Sequence, residues 1–277
     1  MTNTQLRILS AVVLVVLVGT CVWAGKFTAL VFVGLSSLLL IDELLVNFFK
    51  HLRGSKRYMI CQLSFFAPYS YLHFVDPMPG LFSVFINAAL VLNIFYLFYL
   101  FVYKKGKDGK FFTLMASFPL IASVIVLLPI MSLTSLFYLS DWRSIFAVLL
   151  IANFSMDTGA WFFGKKFGKH KLWEAVSPKK TVEGLVGGAL TAAIVASFSW
   201  FFLFETFNWP LILFFGFLGV MSQVGDLIQS KIKRQFAIKD SSSLIPGHGG
   251  VYDRLDGLLF VTPFYATLIN TFYFFKA

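Results

Sequence analysis

The feature that most constrains this chain is a succession of long apolar runs, separated from one another by short polar or basic segments. A helix of about 20 apolar residues crosses the hydrocarbon core of a bilayer, which is about 30 Å thick. The chain is 58% hydrophobic and 13% charged, and a water-soluble core could not bury so large a share of apolar surface. The alternation with a period of two that marks a membrane barrel is not visible. The sequence therefore predicts an all-α, polytopic transmembrane protein.

Hydropathy divides the apolar sequence into about nine candidate spans. The third span is the weakest, because it contains Pro68, several polar residues and His73. The predicted spans are 8–24, 27–49, 57–75, 79–103, 112–132, 143–164, 184–204, 209–230 and 254–275.

Four basic clusters lie between these spans and predict their orientation. Under the positive-inside rule each cluster faces the cytoplasm, so an even number of crossings separates neighbouring clusters. Two spans separate each neighbouring pair of clusters only if 57–75 is counted as a span, which supports the third span. The N-terminus is then cytoplasmic and the C-terminus external. The clusters are Lys50–Arg57, Lys104–Lys110, Lys165–Lys180 and Lys231–Lys239.

The net charge of +10 does not indicate a nucleic-acid partner, because the basic residues lie between apolar runs and not on one soluble face. Membrane topology explains them better. The two cysteines, Cys21 and Cys61, have neither CxxC nor metal-ligand spacing, so the sequence indicates no disulfide framework or zinc site. Asp42 and Glu43 interrupt the second span, where they either snorkel to the interface or contact a lipid headgroup.

The residues that could carry chemistry are concentrated between Gly225 and Asp256. Asp226, Ser230 and Lys233 recur at i, i+4 and i+7, so on a helix they share one face, with Arg234 beside them. A charged residue within a membrane helix costs about 3 kcal/mol on insertion scales, which makes Asp226 a candidate functional residue. A simple ion pair between Asp226 and Lys233 is the alternative.

Two further carboxylates, Asp253 and Asp256, open the last predicted span and lie on one helical face. A cation between them would relieve their repulsion, and hard oxygen ligands suit Mg²⁺ and the phosphates that accompany it. The alternative is that Asp253 caps the helix while Asp256 occupies its favourable first turn. Asp157, in the sixth span, is either another metal ligand or one partner of a buried ion pair.

A glycine-rich turn, Pro246–Gly250, precedes this last helix. Its glycines allow close backbone approach to a phosphate, and a helix N-terminus points amide groups toward an anion. A plain turn is the alternative. Cationic side chains around the turn match a polyphosphate better than an apolar solute, and they are Lys233, Arg234, Lys239 and Arg254.

The polar block resembles the signature of the phosphatidate cytidylyltransferases, also called CDP-diacylglycerol synthases. A looser similarity covers Asp157 to Gly184, a stretch that ends in the basic turn SPKKT at 177–181; Trp161 and Val182 stand where the family pattern has Tyr and Trp. Residues 1–150 resemble the family only as apolar spans. The signature elements are Ser230-x-Ile232-Lys233-Arg234, Lys239-Asp240-x-Ser242, and Ile245-Pro246-x-His248-Gly249-Gly250-Val251-x-Asp253-Arg254-Leu255-Asp256.

This resemblance implies an enzyme of phospholipid biosynthesis that joins CTP to phosphatidic acid, giving CDP-diacylglycerol and pyrophosphate. It implies that Asp226, Asp253 and Asp256 bind Mg²⁺. A role of Asp157 as a further metal ligand and the binding of a second cation stay open. His248 either assists proton movement or donates a hydrogen bond to phosphate. The expected substrate-binding residues are Ser230, Lys233, Arg234, Lys239, Asp240, Gly249, Gly250, Arg254, Lys179 and Lys180.

A single integral membrane domain, 1–277, is predicted, with motif-free spans in 1–150 and the catalytic portion in 151–277. We expect it in the inner (cytoplasmic) membrane, with its active site facing the cytoplasm and membrane lipid around it, as a monomer or homodimer. Related alternatives are a CDP-archaeol synthase and a polyprenol kinase. A transporter that uses Asp226 and Asp157 for ion coupling is the alternative from another class.

Overall fold

The computed structural model describes residues 3–102, 117–207 and 209–274. Helices dominate this part of the chain, and a short hairpin precedes the seventh of them. The helices are α1 (Asn3–Ala24), α2 (Lys26–Glu43), α3 (Lys56–Ser70), α4 (Pro79–Val102), α5 (Leu120–Ser135), α6 (Trp142–Phe167), α7 (Val182–Phe204), α8 (Trp209–Gln235) and α9 (Tyr252–Phe274). The strands are β1 (Lys171–Trp173) and β2 (Ser177–Thr181).

The all-α, polytopic class is confirmed. Within the described residues, seven helical segments are long and apolar enough to cross a membrane. Helices α3 and α9 are not among these seven, so the count of nine spans stays a prediction. The predicted start of the fifth span, at residue 112, and the basic cluster at Lys104–Lys110 lie outside the described residues.

Two compact units make up the described chain, and each combines separate stretches of sequence. Both units draw on sequence from either side of residue 150, where the sequence analysis divides the chain. The single domain predicted for 1–277 stays a prediction. Unit 1 comprises Met1–Leu92, Gly106–Thr134 and Lys233–Leu255, and unit 2 comprises Asn93–Lys105, Ser135–Ile232 and Asp256–Ala277.

In unit 1, helix α2 packs between α1 and α3. The buried Tyr69 of α3 donates a hydrogen bond from its hydroxyl to Leu30 O at 2.7 Å. Gly34 makes room for this ring, because a Cβ atom there would lie 2.8 Å from it. A π-helical turn, Leu44–Phe48, continues α2 directly after Glu43. Such turns are frequent at functional sites.

In unit 2, helices α6 and α7 form the most extensive helix pair of the described residues. Small residues let membrane helices approach closely, and a Cβ atom at Gly188 would lie 2.7 Å from Met156 O. The predicted basic turn at 177–181 is strand β2, which pairs antiparallel with β1. Thr181 then caps α7, its hydroxyl accepting the N–H of Gly184 at 3.1 Å. The tight α6–α7 contact therefore supports the hairpin that carries Lys180.

Candidate functional site

An ion pair between Lys180 and Asp226 lies at the centre of the polar residues of unit 2. Lys180 precedes the cap residue Thr181 on β2, whereas Asp226 lies on α8. Ser230, one turn further along α8, donates from its hydroxyl to Asp226 Oδ1 at 3.3 Å. The side chains of Lys180 and Asp226 are 19% and 29% exposed, so a solute could reach the pair. The two polar stretches that resemble the family meet here.

Asp256 lies on a part of α9 that packs against α8 beside Asp226. A Cβ atom at Gly225 would lie 3.2 Å from Asp256 O, so glycine permits this close approach. Gln229 donates from Nε2 to the same carbonyl oxygen at 3.1 Å. The side-chain Oδ1 of Asp256 accepts the N–H of Gly257 at 2.9 Å. Asp226 and Asp256 are therefore carried by two helices in direct contact within unit 2.

These two carboxylates fit Mg²⁺ by their chemistry. In the part of the chain that the structure describes, no group of three or more His, Cys, Asp or Glu side chains could hold a metal ion. Mg²⁺ does not require one, because it is usually held by one or two carboxylates together with substrate phosphates and water. Lys180 now neutralises Asp226, so Mg²⁺ would bind this carboxylate in place of the ammonium group.

Asp253 belongs to unit 1, where it holds the loop that connects α8 to α9 (residues 236–251, the α8–α9 loop). Its Oδ2 accepts the N–H of Ser241 at 2.7 Å and the N–H of Gly250 at 3.0 Å. The Ser241 hydroxyl, 2.9 Å from this oxygen, is shared between Asp253 and Glu43. Its Oδ1 accepts from Lys233 Nζ at 2.6 Å. Lys233 therefore pairs with Asp253, and Asp226 pairs with Lys180 instead. This structural role of Asp253 competes with the predicted metal role.

Glu43 holds the same loop from α2. Its carboxylate accepts four hydrogen bonds, from the hydroxyls of Ser241 and Ser242 and from the N–H groups of Val251 and Tyr252, at 2.7–2.9 Å. As a whole residue, Glu43 is 3% exposed. Neither snorkelling nor headgroup contact describes this position, since the partners of Glu43 are groups of the protein itself.

The amide groups at the N-terminus of α9 therefore already donate hydrogen bonds to side chains of the protein. Gly250 donates to Asp253, while Val251 and Tyr252 donate to Glu43. The glycine-rich turn predicts that these amides face a substrate phosphate, with a plain turn as the alternative, but in this structure carboxylates of the chain occupy that position. The prediction that Gly249 and Gly250 bind substrate stays untested.

Asp42, the neighbour of Glu43, has a separate role. It accepts two hydrogen bonds from Arg53, from Nε at 2.8 Å and from Nη2 at 2.7 Å, and a third from the Tyr58 hydroxyl at 2.8 Å. These bonds connect the end of α2 to the start of α3. The two adjacent carboxylates thus serve different segments of unit 1.

His248 is held by helix α1. Ser10 Oγ lies within hydrogen-bonding distance of His248 Nδ1, at 2.6 Å, and donates to Pro246 O at 3.1 Å. Arg7 Nε donates to Gly247 O at 2.9 Å. Partial burial, together with the charges of Arg254 and Arg7, lowers the pKa of His248 and favours its neutral imidazole.

The remaining predicted residues lie at the surface, and the structure does not decide their roles. In unit 1, Arg234 donates from Nη1 to Ile238 O at 3.3 Å, just beyond α8. In unit 2, Asp157 is exposed on α6. The other exposed predicted residues are Lys179, Lys239, Asp240 and Arg254.

The family model of the cytidylyltransferase family matches residues 5–272, which is almost the whole chain. This chain belongs to the cytidylyltransferase family. The resemblance inferred from the polar block is thereby confirmed. The match also covers the apolar segments, in which the sequence showed no family motif.

Curated relatives of this cytidylyltransferase carry the name phosphatidate cytidylyltransferase. The protein from Staphylococcus haemolyticus (strain JCSC1435) is 47% identical over 108 residues, which cover 39% of this chain and 42% of the relative. That from Staphylococcus saprophyticus is 44% identical over 133 residues, with coverage of 46% and 50%. That from Bacillus subtilis (strain 168) is 45% identical over 125 residues, with coverage of 44% and 46%. Each match spans half or less of the relative's own length.

The contacts of Glu43 with the α8–α9 loop and of Ser10 with His248 were not predicted from the sequence. Glu43 is 198 residues from Ser241, and Ser10 is 238 residues from His248. For Glu43 a signal existed, namely a carboxylate inside an apolar run, which is a candidate functional residue by default. For Ser10 there was none, because a serine is common in membrane helices.

Proposed function

We propose that this cytidylyltransferase transfers a cytidylyl group from CTP to phosphatidic acid, giving CDP-diacylglycerol and pyrophosphate in phospholipid biosynthesis. The Lys180–Asp226 pair carries the proposal, because it joins the two polar stretches that resemble the phosphatidate cytidylyltransferases. The names of the curated relatives support the same reaction.

The reaction needs little acid–base chemistry from the protein. A phosphate monoester has a second pKa of about 6, so a lipid phosphate is largely dianionic at neutral pH. One of its oxygens attacks the α-phosphorus of CTP, the bond from that phosphorus to the β-phosphate oxygen breaks, and pyrophosphate leaves. The tasks left to the chain are to position the two anions and to neutralise their charge.

In unit 2, Lys180 is proposed to exchange the Asp226 carboxylate for the triphosphate, with Lys179 beside it. Ser230 keeps the Asp226 side chain oriented through its hydrogen bond. Asp226 and Asp256 would hold Mg²⁺, which when bound supplies Lewis-acid polarisation of phosphate oxygens. Asp157 remains the candidate ligand for a second cation.

In unit 1, the exposed cations Arg234, Lys239 and Arg254 are proposed to bind phosphate groups of the substrates. Lys233 is the exception among the predicted cations, because its buried ammonium is already bonded to Asp253. His248 is neutral when its pKa is lowered, so a hydrogen bond to phosphate suits it better than an ion pair.

The finer topology is also part of this proposal. We propose nine spans, a cytoplasmic N-terminus, an external C-terminus and an active site that faces the cytoplasm from the inner (cytoplasmic) membrane. The four basic clusters between the apolar runs support this orientation. The homodimer is retained as a hypothesis, to be tested by the mass of the detergent-solubilised protein.

Product identification tests the reaction. Purified protein is incubated with labelled CTP, Mg²⁺ and phosphatidic acid, and a matched sample contains Asp226→Asn. We expect CDP-diacylglycerol and pyrophosphate from the wild type and neither from the variant. Release of CDP would indicate a lipid kinase, and preference for an ether-linked archaeal lipid would indicate a CDP-archaeol synthase. Unconsumed CTP, together with ion-coupled uptake of a solute, would favour a transporter.

A further inference from the structure

Both carboxylate oxygens of Glu43 accept hydrogen bonds, and the donors to the two oxygens are of the same types. Oε1 accepts from the Ser242 hydroxyl at 2.7 Å and from the Val251 N–H at 2.9 Å. Oε2 accepts from the Ser241 hydroxyl at 2.8 Å and from the Tyr252 N–H at 2.9 Å. Each oxygen thus receives one hydroxyl and one amide, so the carboxylate bridges the beginning of the α8–α9 loop to the first turn of α9.

The Glu43 carboxylate faces backbone N–H groups at the N-terminus of α9. A helix N-terminus carries partial positive charge and stabilises an anion, and hydrogen bonds to an ionised acceptor are stronger than those between neutral groups. Leaving a carboxylate at 3% exposure without such partners would be costly. The burial and the hydrogen bonds therefore depend on each other.

Gly250, a signature residue, is explained by the approach of Glu43. A Cβ atom at this position would overlap both carboxylate oxygens of Glu43 and the hydroxyl of Ser241. A larger residue would separate the loop from α2. The glycine therefore makes room for a side chain that lies outside the signature.

The segment after Glu43 reinforces the contact. Asn47 donates from Nδ2 to Ser241 O at 2.7 Å. The Phe48 ring packs against Tyr252 and Phe236, with centroids 5.5 and 5.4 Å apart. The π-helical turn that carries these residues thus binds the loop through polar and aromatic contacts.

We propose that Glu43 is a positioning residue for cytidylyl transfer, which fixes the α8–α9 loop and the first turn of α9; this rests on the function proposed above. Glu43 does not touch substrate in this role. It acts through the loop, which carries the cation Lys239 and His248, and through the first turn of α9, which carries Arg254.

The test uses Glu43→Gln, which keeps the size of the side chain and replaces one acceptor oxygen with an NH₂ donor. Asp42→Asn is the matched control, since it removes the neighbouring carboxylate, whose partners are Arg53 and Tyr58 and not the loop. Both variants are purified in detergent and compared with the wild type. Amide hydrogen exchange of residues 241–252 and the kinetics with CTP and phosphatidic acid are measured.

We expect Glu43→Gln to speed exchange at Val251 and Tyr252, and to lower kcat about 10- to 100-fold while changing KM for CTP less than about threefold. Asp42→Asn should leave loop exchange and kcat near the wild-type values. Wild-type kcat and loop protection in Glu43→Gln would overturn the proposal, and so would equal effects of the two variants. Because a loss of folded enzyme also lowers the apparent kcat at constant KM, kcat is calculated per folded protein, and the melting temperature of each variant is measured in parallel.

A second variant keeps the test decisive if Glu43→Gln cannot be extracted. Ser242→Ala removes one donor to Oε1, so we expect a smaller fall in kcat with the same pattern of loop exchange. Unchanged exchange and kcat in Ser242→Ala would then overturn the proposal. If the wild type makes no CDP-diacylglycerol, the proposed function fails, whereas the exchange comparison still decides whether Glu43 holds the loop.

Discussion

Two lysine–aspartate pairs of the described residues differ in their access to solvent. The side chains of Lys180 and Asp226 are 19% and 29% exposed, and those of Lys233 and Asp253 are 11% and 6% exposed. Separating a buried pair leaves an uncompensated charge in the interior, whereas a partly exposed carboxylate can change partners more readily. We therefore expect Asp226 to serve the chemistry and Asp253 to serve the structure.

This difference predicts opposite behaviour of two asparagine variants. Asp226→Asn should abolish turnover while the melting temperature stays near that of the wild type. Asp253→Asn should lower the melting temperature, because breaking one side of a buried pair costs about 3–5 kcal/mol. Thermal unfolding and turnover of both variants in the same detergent check the prediction. A stable, inactive Asp253→Asn would return that residue to the metal site.

The pKa of His248 gives a prediction for pH. Its lowered pKa means that protonation opposes the folded arrangement, so its contribution to stability is present above the ordinary pKa of histidine and is lost as the pH falls through the lowered value. Arg7→Gln should raise this pKa, because one nearby positive charge is removed. Titration of the imidazole signals by NMR, with His248→Gln for assignment, measures the shift. An unchanged titration would show that Arg7 does not act on His248.

At the scale of elements, close packing of α6 on α7 positions strand β2 and its Lys180. Thr181 caps α7 and directly follows Lys180, so a displacement of the start of α7 would move this cation. The contact depends on small residues such as Gly188. The arrangement of the candidate site in unit 2 is thus determined by backbone approach as well as by charge.

Gly188→Leu is expected to force the two helices apart. Overpacking of this kind typically costs about 1–3 kcal/mol, so the melting temperature should fall, and turnover should fall with it. Leu190→Val, on an exposed face of the same helix, is the control and should change neither quantity. A lowered melting temperature with wild-type turnover of the folded variant would show that the α6–α7 contact does not position Lys180.

At the scale of the whole molecule, apolar length predicted the helices, and the residue order of the polar block between Gly225 and Asp256 predicted the family. The partners of the charged residues could not be predicted in the same way. Lys180 and Asp226 are 46 residues apart, and the sequence offered Lys233 as a nearer partner for the same carboxylate. Local spacing shows which polar side chains share one face of a helix. Tertiary packing decides which of these side chains form pairs.

The proposed topology predicts the side of the membrane on which exposed positions lie. With Cys21 and Cys61 replaced by serine, Leu52→Cys should be protected and Pro77→Cys labelled when intact cells are treated with a membrane-impermeant thiol reagent. Both positions are exposed in the structure. The reverse pattern would mean that the orientation is inverted, and equal labelling would remove α3 from the spans.

The proposed function requires that the α-phosphorus of CTP is transferred to a lipid phosphate. The most direct measurement follows CTP labelled separately at its α- and γ-phosphates, in the presence of phosphatidic acid and Mg²⁺. We predict that the α-label appears in CDP-diacylglycerol and the γ-label in pyrophosphate, in equal amounts. Transfer of the γ-label to lipid, with the α-label left in CDP, would contradict the account.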